Sequence, residues 1–284
     1  MELTSIFEHL DNLFAQEKLD EVESYLSQMC AQAERDGDID ACIGLYNELI
    51  GLYRVSGKDA SCFAAAEKAL TLLKAAGLTD SVHYATALLN YATARTVFGY
   101  LNEALSLYQQ AEAIYAARLQ PDDARLASLY NNLSLLWIKR GDPEQSLCQL
   151  EKSLAILLKQ ENTQSEIATC YTNMALCHLR GDRQGQAEDC LDQAEAIFLA
   201  LPDYDTHFDN MLAVLGQLRY QQGRYAESAD CFQRALDHVR KVFGHGQNYV
   251  LLCRNCAAAW AAAGEQDKSA WYQSLADEAE REGS

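Results

Sequence analysis

YNNLSLLWIKRGDPEQSLCQLEKSL, from Tyr130 to Leu154, is a pair of helix-patterned segments hinged at Arg140-Gly141-Asp142. Large Tyr130 and small Ser134 precede the glycine, and small Ser146 and Ser153 follow it with large Leu150 between them. Pro143 falls at the first turn of the second segment, where the missing N–H costs nothing.

The hinge recurs. Gly57, Gly99, Gly141, Gly181, Gly223 and Gly264 stand 42, 42, 40, 42 and 41 residues apart. A fixed period of this size marks a stacked repeat array. With Asp182 taken in place of Gly181 the flanking pattern falls into line, and the spacings become 42, 42, 41, 41 and 41. Glu17, 40 residues before Gly57, marks a weaker first unit. That makes seven units.

Residues at fixed offsets from these references repeat in size. Twelve after stand Met29, Ala69, Ala111, Ser153, Ala194, Ala235 and Ala276; five after stand Val22, Cys62, Ala104, Ser146, Ala187, Ser228 and Ser269. Seven before, the last five are Ala92, Ser134, Ala175, Gly216 and Ala257. Small residues let two helices approach closely, ridge into groove. Large residues fill the intervening spaces, such as Tyr46, Tyr130 and Tyr171 eleven before, and Tyr108, Leu191 and Phe232 nine after. Large facing small is how a core interdigitates.

The composition agrees. Of 284 residues 49% are hydrophobic, three are proline, and no alternating Val/Ile/Thr run reads as a strand. The fold class is all-α. The formal net charge of −18 argues against nucleic acid and against anionic membrane surfaces as partners. It suits a basic partner or simple solubility equally. No basic-then-apolar leader and no 18-residue apolar run is seen, so the expected location is cytoplasmic, with ten reduced cysteines.

With these residues in view, the chain resembles the tetratricopeptide repeat family. Its pattern is two antiparallel helices, a large and a small residue on the first, then a glycine turn and two alanines on the second. Further examples are YTNMALCHLRGDRQGQAEDCLDQA from Tyr171 and LGQLRYQQGRYAESADCFQRAL from Leu215. The usual period is about 34 residues; seven more add nearly two helical turns and keep the apolar stripe on one face. This longer form is similar to the kinesin light chain type, above all in KVFGHGQNYV from Lys241 to Val250. HEAT and armadillo repeats share the period and remain the structural alternative, with the glycine turn favouring the first reading.

The resemblance implies a right-handed α-solenoid of about seven hairpins in one array over 1–284. The expected units are a degenerate first repeat at 1–36, then 37–78, 79–120, 121–162, 163–204, 205–245 and 246–284. First helices are expected at 3–15, 38–55, 80–97, 122–139, 164–179, 206–221 and 247–262. Second helices are expected at 19–35, 59–76, 101–118, 143–160, 184–200, 225–243 and 266–281. Pro121 and Pro202 fall between units.

Several strings carry no chemistry of their own. Cys253-x-x-Cys256 is half a zinc spacing without its other half, on core offsets; Cys170 and Cys177 read as core as well. Gly244-His245-Gly246 follows a helix, so it is no dinucleotide loop. No nucleophile–base arrangement is legible, and neither catalytic residue, metal nor cofactor is expected.

Function is therefore expected on the inner wall, which first helices line in this family. Nine residues before the references stand Asn90, Asn132, Asn173, Val214 and Asn255. An amide offers both donors and an acceptor, enough to pair with a peptide backbone, and the resemblance implies that role. Asn131 and Asn210 add amides; Thr93, Thr169, Thr172 and Gln217 add polarity; Leu89, Leu135, Leu176, Leu179, Ile138 and Tyr220 add apolar surface. Lys139, Arg180 and Arg254 bring cations. Shared ancestry of the units explains the asparagines equally well, with their amides solvated or bonded to adjacent repeats.

The expected function is a protein-binding scaffold or adaptor taking a peptide or protein in the groove. Two other readings stay open: a peptide sensor controlling a separate effector, and a self-assembling module. In the last, Trp271 and Tyr272 on the final helix would form a homodimer contact if exposed.

Overall fold

The structure, a computed structural model, describes residues 3–16, 19–201, 205, 207–243 and 245–282. The expected reference Glu17, and Pro202 and Gly244, lie outside the described residues. Fourteen α-helices and no strand occur among the described residues.

The chain divides into two units, Met1–Arg140 and Gly141–Ser284. The first holds α1 (Leu3–Ala15), α2 (Leu19–Asp36), α3 (Ile39–Val55), α4 (Asp59–Ala75), α5 (Val82–Val97), α6 (Leu101–Arg118) and α7 (Ala124–Lys139). The second holds α8 (Pro143–Leu157), α9 (Gln164–Arg180), α10 (Gln184–Ala200), α11 (His207–Gln221), α12 (Tyr225–Phe243), α13 (Gln247–Ala262) and α14 (Gln266–Glu282). In each, consecutive helices pack side by side, as a helical-repeat solenoid requires.

The hairpin turns share one chemistry. Gly57, Gly99, Gly223 and Gly264 adopt φ of 72°, 88°, 75° and 86°. The next residue's N–H reaches back to the last helical turn: Lys58 to Tyr53 O at 2.9 Å, Tyr100 to Arg95 O at 2.8 Å, Arg224 to Arg219 O at 2.9 Å and Glu265 to Trp260 O at 2.9 Å. This left-handed closure satisfies orphan carbonyls and stops the helix. In the fifth turn the left-handed residue is Asp182 (φ 56°), with Arg183 N–H on His178 O at 2.9 Å. The reference shift from Gly181 to Asp182 thus has a backbone cause, and Asp is one of the few side-chain-bearing residues that tolerate the region.

The observed helices follow the expected spans, with one clear difference. The second segment from Pro143 ends at Leu157, not at 160. Beyond it the bonds tighten, Lys159 N–H to Ile156 O and Gln160 N–H to Leu157 O, both 3.0 Å. Thr163 Oγ1 donates to Leu157 O at 3.0 Å, so a side chain takes over where the helical ladder would continue.

Small residues sit where helices cross. Cys62, Ala69, Ala104 and Ala111 in the first unit are fully buried, as are Ser146, Ser153, Ala187, Ala194, Ser228 and Ala235 in the second. The crossing repeats in detail: Cys62 Sγ donates to Ile50 O at 3.4 Å, and Ser228 Oγ donates to Gly216 O at 2.7 Å. These pairs link the fifth residue after one reference with the seventh before it. Leu150 and Leu191, the large residues nine after their references, are buried, each burial contributing about 1.5–3 kcal/mol. Cys170, Cys177, Cys253 and Cys256 are core residues, with no accessible surface.

Candidate ligand-binding cleft

The first helices of three hairpins in the second unit, α9, α11 and α13, line an open cleft of about 640 Å³. Their lining residues fall on one helical stripe. Counted back from each reference they are Asn210 and Leu251 at thirteen, Val214 and Asn255 at nine, Leu176, Gln217 and Ala258 at six, and Arg180 and Gln221 at two. Steps of four, three and four hold a helix face toward the same side. Ala213 and Tyr220 flank the stripe. Phe232 is the single lining residue from a second helix, α12.

Phe232 reaches the cleft because of Gly216. A methyl group on Gly216 would stand 2.8 Å from Phe232 Cε1, so only glycine leaves room for the ring. The cleft therefore has an apolar floor, with Leu251 57% and Tyr220 40% exposed above it.

Among the lining residues Arg180 alone is charged. It is exposed and forms no ion pair with any described residue. The carboxylates of α10, Glu188, Asp189, Asp192 and Glu195, lie outside the lining. Burial and the Arg183 charge, in that order, push the nearby His178 imidazole below its ordinary range, favouring the neutral ring at physiological pH.

Of the sequence-derived residues, Arg180, Asn210 and Asn255 meet in this cleft, with Gln217, Leu176 and Tyr220. Others are placed differently. Asn173 is 5% exposed and already engaged. Arg254 stands one residue off the stripe, and its guanidinium pairs with Glu280 on α14 at 2.8 Å. Thr172 is buried with Oγ1 donating to Ala168 O at 2.9 Å, and Leu179 is buried in the core. These two are not groove residues, because steps of 100° turn them into the helix packing.

In the first unit the expected residues are committed internally to different degrees. Asn90 Nδ2 donates to Asn47 Oδ1 at 2.8 Å, an amide pair between α5 and α3. Lys139 Nζ donates to Val97 O at 2.9 Å. Asn131 and Asn132 are half-buried on α7; Asn132 O accepts from Tyr108 Oη at 3.4 Å. Thr93 and Leu89 are buried rather than on a groove.

Val214 stands at the expected groove offset nine before its reference, whereas sequence reading missed Ala213, Gln221, Phe232, Leu251 and Ala258. The thirteen-nine-six-two stripe was the signal for three of them, Gln221, Leu251 and Ala258. Phe232 carried no such signal, since it enters from the other helix through the gap at Gly216.

Comparison with known proteins places this geometry. Residues 125–200 match the tetratricopeptide repeat family model. Over 141 residues the chain is 27% identical to the kinesin light chain-related protein 2 of Arabidopsis thaliana, covering 49% of this chain and 21% of that protein. The chain thus spans about a fifth of the length of that relative. Among solved structures it is similar to BtubC (BKLC) from P. vanneervenii, with TM-score 0.60 and 20% identity over 77% of this chain and 89% of the other. It is also similar to NprR, solved in complex with its cognate peptide NprX, with TM-score 0.69 and 12% identity over 96% and 77%. At these identities the solved structures show the fold, a helical-repeat solenoid; the resemblance to tetratricopeptide repeats of the kinesin light chain type stands on all of these matches together. No helix among the described residues is long and apolar enough to cross a membrane.

Proposed function

We propose that this chain is a non-enzymatic scaffold that holds a peptide segment of a partner protein along the α9–α11–α13 stripe. The observation that carries this is the convergence of Asn210, Gln217, Gln221 and Asn255 on one open cleft, with no hydrogen bond between these side chains and other described groups. Amides spaced along successive helices pair with a peptide backbone whatever its side chains. The fold accommodates a peptide in NprR, by the description of that structure. The net charge of −18 favours a protein partner over nucleic acid, and a cytoplasmic setting suits ten unpaired cysteines.

Affinity capture with the intact chain, set against the Asn210→Ala/Asn255→Ala double variant, tests the reading. Asn210 is exposed and Asn255 is partly buried on the cleft face, so melting should hold. Bound proteins should be lost from the double variant; the same proteins at the same yield on both would overturn it.

A self-assembling role has one observation in its favour. Trp271 on α14 is 55% exposed, whereas Tyr272 is buried at 4%. Light scattering of the wild type and Trp271→Ala decides it: a dimer lost in the variant supports a contact between copies, and a wild-type monomer removes it.

A further inference from the structure

The cleft has two chemically distinct ends, and together they specify what kind of segment it takes. Arg180, on the last turn of α9, is the one charge among the lining residues and has no carboxylate beside it in the lining. Val214, Phe232 and Leu251 form apolar surface across α11, α12 and α13, with Leu251 more than half exposed to water. A solvent-facing leucine beside an aromatic floor gains from being covered. An unpaired guanidinium in a carboxylate-free lining gains from an anion, in a molecule whose other charges are mostly negative.

The geometry points to an extended peptide segment bearing an aspartate or glutamate and a bulky aliphatic side chain, the carboxylate on Arg180 and the aliphatic group over Phe232 and Leu251. This deepens the peptide-binding reading and rests on it. Adjacent packed helices such as α9 and α11 lie about 8–10 Å apart, so a segment reaching from Arg180 past α11 towards α13 covers about 10–20 Å, roughly three to six extended residues. In an extended chain alternate side chains share a face. The acidic and aliphatic residues are therefore separated by an even number of positions, two, four or six.

Fluorescein-labelled twelve-residue peptides test this. Each has a Gly/Ser/Thr background, an amidated C-terminus, one leucine and one aspartate, at separations from one to seven. Anisotropy should show binding at even separations, weaker by about 10-fold at odd ones and by about 10-fold when aspartate becomes asparagine. Arg180→Gln should abolish the aspartate-to-asparagine difference, and Leu251→Ala should abolish the preference for leucine over serine. Both residues are exposed, and changes in the peptide leave the protein untouched. Binding indifferent to aspartate, to leucine or to parity overturns this inference while leaving peptide binding in place. Binding that follows a free C-terminal carboxylate instead of aspartate also overturns it. Failure of every peptide, including those matching the rule, overturns the cleft as a peptide site.

Discussion

Gly216 and Phe232 are locked together across the α11–α12 hairpin: a Cβ on the glycine would stand 2.8 Å from Cε1 and 2.9 Å from Cδ1 of the ring. No real side chain tolerates that approach, and Phe232 is only 5% exposed, so its ring has little freedom to retreat. The same contact builds the core and brings the aromatic floor into the cleft.

Gly216→Ala should therefore destabilise by about 1–3 kcal/mol through overpacking. Phe232→Leu should cost a similar amount through lost volume. The double variant should cost less than their sum, because the smaller side chain makes room for the methyl. Denaturant midpoints of the four proteins check this, and strict additivity would contradict the contact.

The turn at Asp182 makes a second case. Its φ of 56° suits Asn nearly as well as Asp. Asp182→Asn should leave the melting temperature nearly unchanged, whereas the β-branched Asp182→Val should lower stability by about 1–2 kcal/mol. Equal effects of the two would mean that the left-handed residue lies elsewhere.

Thiol chemistry provides a third. Burial pushes the Cys62 and Cys177 thiols up to about 11, and those of Cys30 and Cys170 up to about 12. Cys148 is exposed. At pH 8 a disulfide reagent should label Cys148 rapidly and these four only as the protein unfolds. A folded-state pKa raised above the unfolded one gives stability that is whole at neutral pH. It is lost as pH rises from about 9 through the raised values. Rapid labelling of Cys170 in the folded protein would contradict its burial.

Glu188 is the acid counterpart. A hydrogen bond from Arg219, whose Nη1 lies 2.6 Å from Oε1, holds its carboxyl below the usual range. A depressed folded-state pKa gives stability that is present above the unfolded value and is lost as pH falls through the folded one. The gap in denaturant midpoint between wild type and Glu188→Gln should be small at pH 7, as solvent screens a carboxylate 37% exposed. It should close towards pH 3. A gap that widened on acidification would contradict the pairing.

The helical frame was legible because three signals coincided: the glycine turn, the small residues on the crossing and the apolar period. The frame slipped at α8, where Thr163 caps Leu157 from outside the segment, a contact that local sequence does not announce. The cleft was half legible. Arg180, Asn210 and Asn255 lie on the stripe that fixed offsets define, whereas Arg254 and Asn173 share the residue type without being available to the cleft. One is drawn to Glu280 and the other is buried. Amide or cation identity at a repeating offset shows which helix face a residue occupies; whether that side chain remains available depends on partners that only the folded chain supplies. Phe232 was illegible as a cleft residue, since its access depends on an absent side chain in the neighbouring helix.

The central claim is that the α9–α11–α13 stripe is the working surface. The most direct test is a photo-crosslinking amino acid at position 217, on the stripe, and separately at 192, on the exposed side of α10. Each variant is irradiated with partners captured by the intact chain. Adducts to a defined partner segment from position 217, with none from position 192, are predicted. Adducts from 192 with none from 217 would contradict the account.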